Sequence, residues 1–243
     1  MKKSKVMLFG AMALTAGLAL AACGSSQSSN ADKTYSYIFV SNPDTLDYIT
    51  STRDSTSSIT TNLIDGLLEN DQYGNLIPSM AESWTVSKDG LTYTYKIRQG
   101  AKWYTSEGEE YADVTAHDFV TGLKYAADKK AENLYLVQDS IKGLADYVEG
   151  KSSDFGTVGV KAVDDYTLQY TLNQPETYWN SKTTASILSP VNEAFLKSKG
   201  DDFGSVTPSS ILSNGPYLFK SFTSKSLIEF DKNPNYWDKD NVK

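Results

Sequence analysis

A predicted β-hairpin at residues 78–98 constrains the fold of this chain more than any other stretch. Its turn is Asp89-Gly90, the kind of dipeptide that best tolerates the positive φ angles of a two-residue hairpin turn. The predicted cross-strand pairs are Trp84 with Tyr95, Val86 with Tyr93, and Lys88 with Leu91. A one-residue slip would turn the apolar side chains to water, so the pattern predicts a fixed register with one aromatic, core-facing side.

The remaining chain alternates strand and helix patterns, which is typical of an α+β protein with a mixed sheet. Aromatic and β-branched runs predict strands at 35–40, 96–103, 217–222 and 227–230, and a second hairpin at 158–172. Apolar residues at helical spacing predict helices at 55–69, 116–129, 139–149 and 191–199. The stripe of the first helix, which includes Ile59, Leu63 and Leu67, is expected to lie in the core.

The charge of the chain disfavours nucleic acid as a partner. The formal net charge is −7, and removing residues 1–22 takes away Lys2, Lys3 and Lys5, which leaves 20 basic residues against 30 acidic ones. Phosphate backbones bind basic surfaces, so no nucleic acid partner is expected. The chain also has no Walker-type glycine-lysine loop, so neither ATP nor another cofactor is expected.

A single cysteine and a single histidine exclude several kinds of site. The chain cannot assemble a Cys/His zinc site, an internal disulfide or a Cys-His dyad. His117 lies between Thr115 and Asp118, and this spacing is typical of a helix N-terminus rather than a catalytic triad. We therefore expect no metal site and no histidine-dependent catalysis.

Residues 1–22 have the pattern of an export signal. A basic start precedes an apolar run from Val6 to Leu20, which is shorter than the roughly 20 residues that a membrane span needs. The small residues before Cys23 match the bacterial lipobox, so we expect cleavage there and lipidation of the Cys23 thiol. Ordinary secretion with a free thiol is the alternative. Residues 23–31 form a polar glycine- and serine-containing tether.

Three groups of carboxylates are candidates for chemistry. They are the loop Glu107-Gly-Glu-Glu-Tyr111, the pair Asp164-Asp165 and the pair Asp201-Asp202. The loop lacks the alternating spacing of a calcium site, so a solvated loop is expected. The first pair occupies a predicted turn, and the second follows Gly200, a predicted helix C-cap. None of these carboxylates lies in a recognisable apolar pocket, so no catalytic residue is expected.

Five motifs, in this order, resemble those of one bacterial family. They are the hairpin at 78–98, Trp103, the stretch from Val114 to Val120, Asn214-Gly-Pro-Tyr217 and Asn233-Pro-Asn-Tyr-Trp237. The chain resembles the substrate-binding lipoproteins of oligopeptide ABC importers, which are solute-binding proteins of family 5 (Ami/Ali/Opp type). The resemblance runs from Cys23 to Lys243 and covers the first half of a full-length member.

The resemblance implies a periplasmic-binding-protein-like fold of type II. It places residues 32–53 and 176–243 in the base of the first lobe and residues 54–175 in an inserted subdomain. The second lobe of such proteins is absent from this chain, which is expected to be a fragment or a weak binder. In a complete member, two lobes rotate about a hinge and enclose the ligand.

The resemblance also implies ligand-binding residues. Thr52, Arg53 and Asp54 align with residues that line the peptide, and Tyr135 falls where the family has a ligand-facing tyrosine. Exposed polar loops on a rigid scaffold often carry binding residues. The alternatives are an exposed salt pair for Arg53 and Asp54, and core packing for Tyr135.

The expected function is that of a non-enzymatic, lipid-anchored receptor on the extracytoplasmic face of a Gram-positive cell membrane. It would act as a monomer and deliver oligopeptides to the permease subunits of an ABC importer. Receptors for a signalling peptide, haem or a nickel complex are alternatives, although His117 alone offers little for ligating nickel or haem. A surface hydrolase with two carboxylates across a cleft, and a structural adhesin, are alternatives of other classes.

Overall fold

The computed structural model describes residues 34–242. The predicted signal peptide at 1–22, the lipidation site Cys23 and the predicted tether at 23–31 all lie outside the described residues. The chain divides into two units, and residues 34–39, the described part of the first unit, contain neither helix nor strand. The strand predicted at 35–40 is therefore wrong, because a strand needs the backbone groups of a second strand and this segment takes part in no described β-ladder.

The second unit, residues 40–243, mixes short helices with antiparallel ladders. Its helices are α1 (Asp54–Thr60), α2 (Ala116–Asp128), α3 (Leu144–Val148), α4 (Trp179–Lys182) and α5 (Glu193–Lys199). Its strands are β1 (Leu68–Asn70), β2 (Leu76–Pro78), β3 (Ala81–Val86), β4 (Thr92–Ile97), β5 (Lys102–Tyr104), β6 (Glu110–Asp113), β7 (Val160–Asp164), β8 (Thr167–Thr171), β9 (Tyr217–Thr223) and β10 (Leu227–Lys232). The α+β class is confirmed, but every ladder among the described residues is antiparallel rather than mixed.

The predicted hairpin lies in the largest sheet, which has the strand order β3-β4-β8-β7. Trp84 pairs with Tyr95 and Val86 pairs with Tyr93, as predicted. The two-residue turn is wrong, since among its residues only Gly90 has a positive φ, of 72°. The Ser87 N–H donates to the Thr92 carbonyl (2.9 Å), so the loop is longer and no Lys88–Leu91 pair forms.

The core face of this sheet is built from aromatic rings. Tyr95 and Tyr170, from the two central strands, have ring centroids 6.2 Å apart, and the Trp179 ring lies 5.3 Å from Tyr170. All three side chains are fully buried. Val86 is 45% exposed, because it lies at the open end of the outermost strand β3. The predicted apolar side of the hairpin is therefore buried on β4 and only partly covered on β3.

Both outer strands of the sheet are irregular. The β3–β4 register shifts between Ala81 and Ser83, and the β7–β8 register shifts between Ala162 and Asp164. Such bulges bend a strand and interrupt its ladder. Each outer strand of this sheet thus has a bulge near one end.

Two other predicted elements end earlier than expected. The helix predicted at 55–69 stops at Thr60, and Leu68 already belongs to strand β1. Its serine and threonine side chains bond to carbonyls of the preceding turn, as Thr60 does to Thr56 (3.1 Å), and such residues favour short helices. The strand predicted at 96–103 breaks at Gly100, whose φ is 82°, and β5 then pairs with β6.

The start of α2 confirms the predicted helix N-terminus. The Asp118 carboxylate accepts a hydrogen bond from the Thr115 N–H (2.8 Å), which completes a capping box. The same oxygen accepts from the Trp103 indole N–H (3.1 Å). Asp118 is buried, and this burial raises its pKa to about 6.

This raised pKa predicts how stability depends on pH. The folded protein holds the Asp118 proton more tightly than the unfolded chain, in which an aspartate has a pKa of about 3.9. The Asp118 contribution to the free energy of unfolding therefore falls as pH rises from about 4 to about 6, and is constant above that. We expect the Asp118→Asn variant, which keeps an oxygen acceptor for both donors, to gain up to about 3 kcal/mol relative to wild type across this window.

Urea unfolding at half-unit steps from pH 4 to pH 7 measures this difference. Asp71→Asn is the control, since Asp71 is only half-buried and hydrogen bonds with Asn75 lower its pKa. A constant difference between wild type and Asp118→Asn over the whole range would contradict the raised pKa.

Candidate functional site

The predicted ligand residues Thr52 and Arg53 end a loop that Asp47 organises, and Asp54 begins the helix α1 that follows it. The Asp47 carboxylate accepts hydrogen bonds from the backbone N–H groups of Ile49 and Thr50, each at 3.1 Å. It also accepts from the Thr50 hydroxyl (2.6 Å). An aspartate that binds backbone N–H groups two and three residues ahead fixes a tight turn. The loop 44–53 is therefore an ordered turn that leads directly into helix α1.

Three distant parts of the chain hold this loop in place. The Tyr125 hydroxyl, on helix α2, donates to Asp47 Oδ2 (2.8 Å), the oxygen that also accepts from the Thr50 hydroxyl. The buried Tyr48 hydroxyl donates to the Pro190 carbonyl (2.7 Å). The Leu46 N–H donates to the Gly204 carbonyl (2.6 Å). Because these contacts join residues that are between 78 and 158 positions apart in the sequence, the loop lies on a scaffold formed by the folded second unit.

The predicted ligand residue Tyr135 lies on a short 3₁₀ helix, Glu132–Leu136. Asn133 and Leu134 are buried and anchor this helix, whereas Tyr135 is 74% exposed. Core packing, the alternative for Tyr135, is therefore wrong. An exposed aromatic ring on an anchored turn is free to stack on a ligand.

The structure brings the two predicted segments together. The Thr52 hydroxyl donates to the Glu132 carboxylate (3.3 Å), across 80 positions of sequence. The loop with Thr52, Arg53 and Asp54 thus adjoins the 3₁₀ helix with Tyr135. Sequence reasoning missed Glu132, because no local pattern connects it to Thr52.

Arg53 and Asp54 do not form the salt pair that was the alternative for them. The Arg53 guanidinium lies 3.2 Å from the Asp44 carboxylate, and both side chains are exposed. Such a pair contributes at most about 1 kcal/mol to stability, so a ligand can displace it easily. Asp54 occupies the first turn of α1, where a negative charge is favourable. Sequence reasoning also missed Asp44.

One nucleophile–base pair lies outside this site. The Lys182 ammonium donates to the Ser140 hydroxyl (2.6 Å) and lies 2.9 Å from the buried Glu176 carboxylate. A serine–lysine pair acts chemically when the lysine is free to take a proton and the serine is accessible. Here the lysine is committed to an ion pair and Ser140 is buried, so the arrangement serves to stabilise the fold.

Two further features of the described residues bear on function. Within residues 34–242, no three His, Cys, Asp or Glu side chains are grouped closely enough to hold a metal ion. In the same range, none of the helices has the length and apolar character required to cross a bilayer.

Comparison with known proteins gives a consistent family match. The family model for bacterial extracellular solute-binding proteins, family 5 Middle, matches residues 75–243. The oligopeptide-binding protein AliB of Streptococcus pneumoniae serotype 4 is 66% identical over 240 residues, which are 99% of this chain and 36% of AliB. The chain therefore spans little more than a third of the length of this relative.

Solved structures agree with the sequence match. The substrate-binding domain of an oligopeptide ABC transporter from Bacillus anthracis str. Ames has a TM-score of 0.77 and 34% identity, over 85% of this chain and 39% of that one. The structure of Listeria monocytogenes OppA bound to peptide has a TM-score of 0.75 and 34% identity, over 84% of this chain and 39% of that one. The periplasmic-binding-protein-like fold predicted from the sequence is confirmed for a partial lobe.

Proposed function

Since this chain belongs to the family 5 bacterial extracellular solute-binding proteins, we propose that it is part of a receptor that binds oligopeptides and delivers them to an ABC importer. The observation that carries this proposal is the 66% identity, over nearly the whole chain, to an oligopeptide-binding protein. The peptide-bound relative from Listeria supports the same ligand class. In this proposal the protein binds its ligand without transforming it.

The proposed ligand surface consists of Thr52, Arg53, Asp54 and Tyr135. The polar loop offers hydrogen-bond donors and acceptors to a peptide main chain, and the exposed Tyr135 ring offers a stacking surface for side chains. Water-filled pockets around such groups would admit many peptide sequences. Residues 32–53 and 176–243 are proposed as the base of the first lobe, and residues 54–175 as the inserted subdomain.

The proposal also includes a lipid anchor at Cys23. The lone cysteine after an apolar export signal supports this, and the receptor would then lie on the extracytoplasmic face of the membrane, as a monomer next to the importer's permease subunits. Release of a Cys23→Ala variant into the medium is the expected result, and retention of this variant in the membrane fraction would count against the anchor.

Replacing Tyr135 by alanine is expected to weaken peptide binding about 5- to 30-fold. This corresponds to the 1–2 kcal/mol that truncation of a well-placed tyrosine costs in an interface. Tyr73→Ala is the matched control, since Tyr73 is 79% exposed at the turn between β1 and β2 and should leave affinity unchanged. The measurement is calorimetric titration of the natural gene product that contains these residues with mixed tri- to octapeptides.

Two results would contradict the proposed function. One is the absence of peptide binding by the wild-type protein, together with saturable binding of haem or nickel, which would assign the fold to another solute. The other is equal affinity of the wild type, Tyr135→Ala and Tyr73→Ala, which would place the ligand elsewhere. Arg53→Ala, paired with the equally exposed control Lys197→Ala, tests the loop in the same way.

A further inference from the structure

Asp47 is buried and Tyr125 is half-buried, whereas the proposed ligand residues Thr52, Arg53 and Asp54 are exposed. Asp47 is only 7% exposed, and its two carboxylate oxygens accept four hydrogen bonds. Three of these come from the loop itself, and the fourth comes from the Tyr125 hydroxyl on helix α2. The Tyr125–Asp47 bond is therefore the side-chain link between the turn and this helix.

A continuous chain of hydrogen bonds leads from Asp47 to the proposed ligand residues. The Ser51 N–H donates to the Asp47 carbonyl (3.0 Å), and the Ser51 hydroxyl accepts from the Arg53 N–H (3.3 Å). The Ser51 hydroxyl donates to the Thr56 hydroxyl (3.0 Å), which in turn donates to the Thr45 carbonyl (2.8 Å). The position of Arg53 thus depends on a ring of contacts that begins and ends at the Asp47 turn.

We infer that Asp47 and Tyr125 are positioning residues for peptide binding, which hold Thr52, Arg53 and Asp54 in the conformation that accepts a ligand. This inference rests on the proposed function. A preformed loop binds more tightly because it does not lose conformational freedom on binding. If the Tyr125–Asp47 bond is absent, only a fraction of the molecules has the loop in place, and the apparent affinity falls by that fraction.

The Tyr125→Phe variant isolates this bond. The variant keeps the ring, which packs edge-on against Phe203 at 5.5 Å, and removes only the hydroxyl. An open cleft of about 330 Å³ is lined by Asp47 and Tyr125, so water can replace the lost donor and the variant should fold. Burial and the Asp47 carboxylate raise the pKa of Tyr125 above its ordinary value, so the hydroxyl is a donor at neutral pH.

Tyr236→Phe is a closely matched control. The Tyr236 hydroxyl also donates to a buried aspartate, Asp65, at the same distance of 2.8 Å, and Asp65 is also 7% exposed. This bond joins residue 65 to the turn at 233–237, and neither residue of the pair belongs to the loop 44–53. A general loss of stability would affect both variants alike, whereas the positioning role predicts a change in Tyr125→Phe alone.

The test combines binding kinetics with amide hydrogen exchange on the natural gene product. For Tyr125→Phe we expect peptide affinity to fall about 5- to 10-fold through a slower apparent association rate, with the dissociation rate unchanged. The amides of Ile49 and Thr50 should exchange faster in this variant, and neither effect should occur in Tyr236→Phe. Tyr135→Ala, which removes a contact instead, should raise the dissociation rate.

The outcomes separate the inference from the proposed function. Unchanged affinity and exchange in Tyr125→Phe, or a loss that resides in the dissociation rate, overturns the positioning role while Tyr135→Ala still reports on the ligand site. Failure of the wild-type protein to bind any peptide overturns the proposed function, and the positioning role for a peptide with it.

Discussion

Replacing Gly204 by alanine is expected to destabilise the protein by at least about 2 kcal/mol more than the same change at Gly150. Both glycines have a left-handed φ, of 72° and 77°, so each alanine should cost about 1–2 kcal/mol for that conformation alone. The two sites differ in how much room there is for an added Cβ. A Cβ at Gly204 would lie 2.5 Å from the Asp47 nitrogen, whereas a Cβ at Gly150 would have no neighbour within 4 Å.

The Gly204→Ala variant also tests how the ligand loop is supported. Its added methyl group would push against the backbone of Asp47, which cannot yield as a flexible side chain can. Peptide affinity should therefore fall with stability in Gly204→Ala, whereas Gly150→Ala should lose stability only. Urea midpoints and calorimetric titration measure the two effects. Equal midpoints for the two variants would show that residues 44–54 can shift away at little cost.

Truncation of Trp179 to alanine is expected to lower the free energy of unfolding by about 3–5 kcal/mol. The side chain is fully buried at the start of α4, and its ring lies 5.3 Å from Tyr170 and 6.2 Å from Tyr93. Removing it leaves a cavity between the helix and the sheet. The rings of Tyr93 and Tyr170 cannot shift to fill this cavity, because they belong to paired strands of the sheet.

Two companion variants show that the loss comes from the cavity. Trp84→Ala removes the same side chain from the outer strand β3, where Trp84 is only partly buried, and should cost clearly less. Trp179→Phe retains an aromatic ring and should recover more than half of the loss. Chemical unfolding followed by circular dichroism avoids dependence on tryptophan fluorescence. A cost for Trp179→Ala no greater than that for Trp84→Ala would contradict the buried arrangement.

Local chemistry made some features predictable. The Trp84–Tyr95 register follows from alternation, and the α2 N-terminus follows from the spacing of Thr115 and Asp118. Gly200 ends α5, as its position after a helical pattern indicates. Each of these features depends on residues that lie close together in the chain.

The contacts that support the candidate site were beyond sequence reasoning. Tyr125 and Asp47 are 78 positions apart, and Thr52 and Glu132 are 80 positions apart. No periodicity encodes such pairs, because they form only when separate elements pack. Family resemblance, rather than any local pattern, indicated the four predicted ligand residues Thr52, Arg53, Asp54 and Tyr135. The structure adds that the two segments that carry them lie next to each other.

The wrong predictions have a common physical cause. The stripe with Ile59, Leu63 and Leu67 is buried as expected, but the helix ends at Thr60 and burial is achieved through a turn instead. The spacing of apolar residues predicts which side chains become buried. It does not predict whether a helix or a turn places them in the core. The segment 35–40 has the composition of a strand but is not one, because composition does not determine whether a second strand is present to pair with it.

The bulges in β3 and β7 affect how copies of this protein associate at high concentration. A regular edge strand has unpaired backbone N–H and C=O groups, to which a strand of a neighbouring molecule can bind. Repeated pairing of this kind leads to aggregation. In the four-stranded sheet of this protein both outer strands are distorted, and a charged side chain lies at each distortion: Glu82 on β3 and Asp164 on β7. At high protein concentration, copies of the molecule would therefore gain little from pairing through the outer strands of this sheet.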